Sequence, residues 1–345
     1  MPNIAVVAAN ANGEIVRYWE AGETAAYFGS PFARDASSGR YDPSHEQRRI
    51  ASTGKMLVAI AAGNWSNDTP STLYVDPSAP ARGLETCARG HGTLHRGRHA
   101  IVAFACSLSP AIEWRGARLG QARIRRLIDG FGFTMPPPDA NGEGVPESTA
   151  AARGLISGSP RRVHHMAGVI LAAMTGRGGR PLQAPTLVKA WELSAHGARE
   201  GASRDGAIIP NTLIRSKAVP FLKSVLSAPL CYEAGGRRHG TLKSLGSWCA
   251  TRNSRVSLHF AKTGTDTNED ANQTIDTWIA GGVRFSNGEA YSYVIEIGTG
   301  STQSPFASRL NAGALLGPLA DALLTDLAPK GVPARTAART ATTTR

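Results

Sequence analysis

Three short clusters of hydroxyl and amine side chains could do chemistry in this 345-residue sequence. Ser52 and Lys55 stand three residues apart at the start of an apolar segment, so on a helix their side chains share one face. Ser107 and Ser109 flank a leucine, and residues 262–265 spell Lys-Thr-Gly-Thr. A serine hydroxyl is a poor nucleophile until a base takes its proton, and a lysine is such a base only while uncharged. Ser52 and Lys55 therefore predict nucleophilic catalysis.

The two ends of the chain predict the sheet that would position these clusters. Asn12-Gly13 separates two apolar runs, which is a strong hairpin signal because both residues tolerate positive φ. Apolar residues alternate with others over 256–261, and a turn at 286–289 joins predicted strands at 277–285 and 290–297. An apolar stripe over 306–327 predicts a closing helix. We therefore predict an α+β fold, with one antiparallel sheet built from both chain ends and helices on its faces.

The middle of the chain predicts a helical subdomain inserted into that sheet, with a cleft at the seam. Loops are predicted at 21–48 and 64–92, and a connector at 127–146, where three prolines are consecutive. Lys262 to Thr265 is predicted to terminate its strand. Helices are expected over 52–62 ending at Gly63, over 93–105 with Thr93 as N-cap, and over 110–119, 160–175, 186–193 and 217–227.

These elements predict one domain over 1–328, followed by a disordered basic tail over 329–345. The sheet would come from residues 1–50 and 251–328, and the helical insert from 64–250. The chain is long enough to bury a sizeable core without disulfide staples.

Composition excludes several classes of protein. Hydrophobic residues make up 41% and charged residues 19%, which is a globular composition. The net charge of +12 is spread along the chain without an interleaved aromatic and basic stripe, so we predict no nucleic-acid partner. No apolar run approaches the roughly 20 residues of a membrane span, and residues 1–20 do not resemble a secretory signal. The four cysteines allow one or two bridges in an oxidising compartment.

Two rival motifs are weak. Gly54-Lys55 is similar to the end of a phosphate-binding loop, but Arg49 stands where that loop needs glycine and Met56 where it needs a hydroxyl. A second set recurs every four residues and could ligate zinc, yet glycines interrupt the helix that would align it. This set is Cys87, His91, His95 and His99. We predict no metal and no cofactor.

Taken in order, the three clusters resemble the S-x-x-K, S-x-N and K-T-G motifs of active-site-serine penicillin-binding proteins. The resemblance covers about residues 4–327 and is closest to the transpeptidase domain of bifunctional class A wall synthases. Residues 103–120 are similar to the family's stretch around its second motif, and 276–281 to the strand after K-T-G. Residues 154–179 are similar to a family segment that contains a helix ending in a Gly-rich turn.

The resemblance implies a D,D-transpeptidase that forms an acyl-enzyme on peptidoglycan stem peptides ending in D-Ala-D-Ala and that binds β-lactams covalently. Other cell-wall synthesis proteins are further candidate partners. The implied catalytic residues are Ser52, Lys55, Ser107 and Lys262, and the implied substrate-binding residues are Ser109, Thr263, Gly264 and Thr265. The backbone N–H groups of Ser52 and Thr265 would form an oxyanion hole.

Ser109 departs from the family, which usually has asparagine there. A hydroxyl offers one donor where an amide both donates and accepts, so weaker substrate binding and slower acylation are expected. A D,D-carboxypeptidase or a β-lactamase, in which water deacylates Ser52, remains an alternative. A catalytically weak wall-binding or scaffold protein is another. The chemistry implies the periplasmic, cell-wall side of the inner membrane, although no export segment is recognisable in the sequence.

Overall fold

The computed structural model describes residues 3–21, 48–75, 97–177, 191–192, 199–200, 211–268, 273–298 and 312–330. The strands are β1 (Asn3–Asn10), β2 (Ile15–Ala21), β3 (Arg48–Arg49), β4 (Leu73–Val75), β5 (Gly97–His99), β6 (Ser157–Gly158), β7 (Trp191–Glu192), β8 (Arg199–Glu200), β9 (Glu233–Ala234), β10 (Arg237–Arg238), β11 (Val256–Asn268), β12 (Gln273–Phe285) and β13 (Ala290–Gly298). The α-helices are α1 (Lys55–Trp65), α2 (Ala100–Ala105), α3 (Ser109–Leu119), α4 (Gln121–Gly130), α5 (Glu147–Arg153), α6 (Pro160–Met174), α7 (Val219–Cys231) and α8 (Ala312–Leu327). Short 3₁₀ helices occupy Ala51–Gly54, Asn211–Leu213, Ser216–Ala218 and Lys243–Trp248.

A five-stranded antiparallel sheet organises the molecule, in the order β11-β12-β13-β1-β2. The two predicted hairpins are present, with Asn12 and Gly13 in the first turn and Gly288 at φ +94° in the second. Strands β13 and β1, from opposite ends of the chain, pair antiparallel from Asn3 with Gly298 to Asn10 with Tyr291. The α+β prediction with a sheet drawn from both chain ends is therefore confirmed.

Side chains of successive strand residues enter two separate apolar clusters, one on each face of the sheet. On the front face, Phe260, Trp278 and Val294 belong to one apolar cluster with residues of α1, α6 and α7. On the back face, Ala261, Ile279 and Ile295 pack against α8 and the 3₁₀ helix Lys243–Trp248. This alternation follows from the two-residue repeat of a strand. It gives the domain three layers, with the sheet in the middle.

Helix α1 lies among the helices on the front face of the sheet and is buried along nearly its whole length. It contacts α3, α4, α5 and α7, which explains its apolar, alanine-rich sequence. The helix continues past Gly63, where its end was predicted, to Trp65. A Cβ at Gly63 would lie 2.7 Å from the Cβ of Ala218, so this glycine permits close packing and does not stop the helix.

Two predictions near the second cluster are wrong. The helix expected over 93–105 begins only at Ala100, because Gly97–His99 forms strand β5 and pairs with β4, which lies inside the predicted loop 64–92. Glycine favours helices poorly, and the pairing satisfies backbone groups that would otherwise need other partners. The connector predicted over 127–146 overlaps α4, whose buried residues Ile124, Leu127 and Ile128 have helical spacing.

Other predictions differ at element boundaries or lie outside the described residues. Strand β11 continues through Thr265 to Asn268, so the Lys-Thr-Gly-Thr cluster lies within the strand and does not end it. In the helix predicted over 186–193, Trp191–Glu192 forms strand β7 and the other residues lie outside the described ranges. Helix α5 was not predicted. Most of the loop predicted over 21–48 and of the tail predicted over 329–345 also lies outside those ranges.

A disulfide joins Cys231 at the end of α7 to Cys249, just after the 3₁₀ helix Lys243–Trp248. Cys106, at the end of α2, is disulfide-bonded as well. Both observations agree with the bridges that the sequence allowed. Among the described residues, no helix combines the length and apolar character needed to cross a bilayer.

Candidate active site

Ser52 lies in the 3₁₀ turn Ala51–Gly54, which leads directly into α1. The sequence placed it near the start of a helix, and the structure adds that the preceding residue, Ala51, has a left-handed backbone with φ +48°. Within the turn, the Thr53 hydroxyl donates a hydrogen bond to the Ile50 carbonyl. The turn thus holds Ser52 at the junction between the sheet and the helical insert.

Lys55 is the first residue of α1, and its side chain is buried with no exposed surface. Its Nζ lies 2.5 Å from Ser52 Oγ, within hydrogen-bond contact. The predicted i, i+3 relation therefore brings the amine directly to the hydroxyl. A proton can pass between these two atoms without movement of the backbone.

Ser107 lies between α2 and α3 with a left-handed backbone, φ +56°. The N–H of the next residue, Leu108, donates to the Ala103 carbonyl, which fixes the turn onto α2. From β11, Lys262 reaches across the seam and donates from Nζ to Ser107 Oγ at 2.8 Å and to the Thr263 carbonyl at 3.0 Å. Residues 155 positions apart in the chain thus meet at one point.

The two lysine amines share one buried environment. Lys262 also has no exposed surface, and burial together with the charge of Lys55 lowers the pKa of Lys262 well below its usual range. Removing an ammonium group from water disfavours its charged form, and a nearby like charge adds to that effect. The pair therefore carries one positive charge more readily than two.

Gly264 brings the edge strand against the turn that holds Ser52. A Cβ at this glycine would lie 3.0 Å from the Ile50 carbonyl oxygen and 3.2 Å from Ala51 Cβ. Thr263 and Thr265 alternate with Lys262 and Gly264 along β11, with Thr263 half-buried and Thr265 exposed. Strand β11 ends the strand order of the described sheet, so both threonines stand at its edge.

Ser109 is the first residue of α3 and is half-buried. It is followed by Pro110, a residue suited to the first turn of a helix because its missing N–H would be unpaired there. Ser109 is two residues from Ser107, so it belongs to the same junction as the two serine–lysine pairs.

The residues that shape the Ser52 turn were not recognised from the sequence. Ala51 donates its N–H to the Gly154 carbonyl at 3.1 Å, and Ile50 donates to the Ile156 carbonyl at 3.0 Å. A left-handed alanine has no sequence signature of its own.

The possible zinc ligands were a separate candidate site. The described residues contain no group of three or more metal-ligating side chains, and Cys87, His91 and His95 lie outside the described ranges.

With this architecture, the chain has the transpeptidase fold of penicillin-binding proteins. The crystal structure of penicillin-binding protein 3 from Mycobacterium tuberculosis, complexed with ampicillin, matches 96% of this chain and 75% of its own with a TM-score of 0.59 and 16% identity. PonA1 from Mycobacterium tuberculosis matches 96% of this chain and 79% of its own, with a TM-score of 0.55 and 17% identity. Pseudomonas aeruginosa PBP2 matches 94% and 72%, with a TM-score of 0.58 and 15% identity. No protein-family model and no curated protein sequence matches the chain.

Proposed function

We propose that this protein is a peptidoglycan D,D-transpeptidase, in which Ser52 attacks stem peptides that end in D-Ala-D-Ala. The observation that carries the proposal is the contact of 2.5 Å between Ser52 Oγ and the fully buried amine of Lys55. A second hydroxyl–amine pair, Ser107 with Lys262, comes from the two other clusters. The fold supports the same conclusion, since it is that of penicillin-binding transpeptidase domains.

Acylation would proceed in two proton transfers. Uncharged Lys55 takes the Ser52 proton as Oγ attacks the carbonyl carbon of the D-Ala-D-Ala bond, and the carbonyl oxygen becomes an oxyanion. The N–H groups of Ser52 and Thr265 would stabilise that oxyanion, and one such donor typically contributes about 100- to 1,000-fold in rate. The C–N bond then breaks, and the proton that Lys55 took passes through Ser107 to the departing D-Ala amine. An amine from a neighbouring strand next attacks the ester carbon, the C–O bond to Ser52 breaks, and the proton lost by the amine returns to Ser52 Oγ, which completes the cross-link.

The shared charge of the two lysines suits these steps. A substrate carboxylate held near Lys262 by Thr263 and Thr265 would favour the charged form of Lys262. Because the pair carries one charge more readily than two, Lys55 would then remain uncharged beside Ser52. Binding of the substrate would in this way prepare the base.

The same arrangement would accept β-lactams, whose strained amide mimics the scissile dipeptide. Two matched structures contain such compounds, penicillin-binding protein 3 with ampicillin and PonA1 with penicillin V. The disulfides at Cys231–Cys249 and Cys106 favour an oxidising compartment. We therefore place the protein on the cell-wall side of the inner membrane, where other cell-wall synthesis proteins would be its partners.

A second candidate follows from Ser109. With a hydroxyl where the family usually has an amide, the chain would hold the substrate backbone less firmly and would act as a weak enzyme or a wall-binding protein. D,D-carboxypeptidase and β-lactamase activity differ from transpeptidation only in the acceptor that removes the acyl group from Ser52.

Labelling with a fluorescent penicillin tests these functions. We expect covalent label that Ser52→Ala abolishes and that Ser71→Ala, at an exposed serine away from the site, leaves unchanged. Label that persists for hours indicates a transpeptidase, and rapid loss of label indicates hydrolysis. Absence of label from the unchanged, folded protein would favour the wall-binding function and overturn the enzymatic one.

A further inference from the structure

The backbone just before the nucleophile adopts a conformation that alanine disfavours. Ala51 is buried and has φ +48°, in the left-handed region that a residue with a Cβ enters only at a cost. Such residues persist where the surrounding structure holds them, and they occur at functional sites. At position 51 this conformation sets the direction in which the next residue, Ser52, leaves the turn.

The segment after α5 is what holds Ala51. Gly154 accepts the Ala51 N–H at 3.1 Å, Ile156 accepts the Ile50 N–H at 3.0 Å, and β3 pairs with β6 beyond them. Residues 48–51 and 154–158 thus lie side by side. This pairing connects the nucleophile turn to the end of helix α5. None of the four residues of the serine–lysine pairs belongs to α5.

Gly154 fits against Ala51 so closely that no other residue has room. A Cβ built on Gly154 would lie 1.9 Å from the Ala51 carbonyl carbon and 2.2 Å from its Cα, where real Cβ atoms are not found. Gly154 also has φ +73°, which glycine tolerates. At the other end of the turn, a Cβ on Gly54 would lie 2.6 Å from the Ala151 carbonyl oxygen of α5. The turn is therefore fixed at both ends by α5 and the residue that follows it.

We propose that Gly154 is a positioning residue for the nucleophile. It touches no substrate, and it acts through Ala51, whose left-handed backbone directs the Ser52 hydroxyl to Lys55 and to the edge of β11. This inference rests on the proposed function, because the rate it controls is acylation of Ser52. A displacement of about 1 Å in a reacting group can cost on the order of 100-fold in rate, so tight packing at this point matters for catalysis.

Two matched variants test the proposal. Gly154→Ala and Gly176→Ala place an alanine at nearly the same backbone angle, φ +73° and +76°, but no atom of the described residues lies within 4 Å of a Cβ at Gly176. Both variants carry the cost of a left-handed alanine, and Gly154→Ala is expected to lose further thermal stability because its Cβ overlaps the Ala51 backbone. Only Gly154→Ala should slow acylation by fluorescent penicillin, by about 100-fold.

The concentration dependence of labelling separates positioning from general damage. In Gly154→Ala the limiting acylation rate should fall while the half-saturating penicillin concentration stays unchanged, because the pocket for the ligand remains. A folded Gly154→Ala protein that labels at the rate of Gly176→Ala would overturn the inference and leave the proposed function standing. Absence of label in the unchanged protein would overturn both.

A second variant avoids the steric clash in case Gly154→Ala does not fold. Replacing Ala51 with lactic acid converts its backbone amide to an ester, which removes the hydrogen bond to Gly154 without changing any side chain. We expect the limiting acylation rate to fall by about 5-fold, the effect of losing one ordinary hydrogen bond. An unchanged rate in this variant would contradict the proposal.

Discussion

Both faces of the sheet bury titratable groups, but they treat them differently. On the front face, Lys55 and Lys262 are buried beside serine hydroxyls and near each other's charge. On the back face, His259 donates from Nδ1 to the Trp248 carbonyl and accepts at Nε2 from the Tyr293 hydroxyl. Both ring nitrogens of His259 thus have neutral partners, and burial lowers its pKa to about 4.

Burial has different consequences for the lysines on the front face and the histidine on the back face. A buried group whose bonds are all satisfied by neutral partners is inert and contributes to stability. A buried amine next to a hydroxyl keeps its ability to take a proton while its charged form is disfavoured, and this makes it a base. Under the proposed function, the front face gives up stability for reactivity, and the back face does not.

The largest expected effect is that of Lys55→Met, which replaces a buried amine with an apolar side chain of similar length. Acylation by penicillin should fall about 1,000-fold because the base is lost. Thermal stability should stay equal or rise, since burial of an amine is costly. Labelling rates and melting curves measured together check this, and a large loss of stability would contradict the comparison.

Acid should destabilise the protein through two buried histidines. His164 and His259 both have a pKa of about 4 in the fold because burial disfavours the charged imidazole, against about 6.5 in the unfolded chain. Between these values the unfolded chain binds more protons, so the free energy of unfolding falls as pH drops from about 6.5 to 4, by about 3 kcal/mol for each histidine.

Denaturant unfolding at a series of pH values measures this slope. The control is His259→Leu, which should be less stable at pH 7, because it leaves the Trp248 carbonyl and the Tyr293 hydroxyl without this partner, but should show a shallower decline with acid. An equally steep decline in the variant would show that His259 is not one of the groups responsible.

Removal of the disulfide near the back face should lower stability and leave the candidate site intact. The double variant Cys231→Ser with Cys249→Ser opens a loop with a sequence separation of 18, and stability should fall by about 3 kcal/mol. Penicillin labelling of the folded variant should be unchanged, because Cys231 packs against the back-face cluster and the serine–lysine pairs lie on the front face. A loss of labelling without a loss of stability would mean that the bridge positions β11 and not only the back layer.

The smallest expected effect is a gain of function in Ser109→Asn. An amide at the start of α3 would both donate to and accept from a substrate backbone, and acylation should rise by about 5-fold. Ser66→Asn, at another half-buried serine outside the site, serves as the matched control. A fall in labelling for Ser109→Asn alone would indicate that the hydroxyl is part of this protein's own arrangement.

Much of the fold was predictable because its signals are local. The Asn12-Gly13 turn, the alternation over 256–261 and the turn at 286–289 each report on a hairpin or strand through backbone preferences of nearby residues. The connector predicted over 127–146 is wrong at α4, although the helical spacing of its apolar residues is present in the sequence. The helix predicted over β5 is wrong because the pairing of β5 with β4 lies outside any local window of sequence. Boundaries failed at Gly63 and at Thr265 for the same reason, since distant packing decides where an element ends.

The sequence by itself determined which residue types could do chemistry and that Ser52 and Lys55 would meet, since a helix fixes the relation between positions three apart. Only the tertiary structure decided that Lys262 reaches Ser107, that both lysines lose their water, and that Gly154 holds Ala51 in a left-handed turn. These relations join residues more than a hundred positions apart. They depend on desolvation and close packing, which exist only once the sheet and the helical insert have come together.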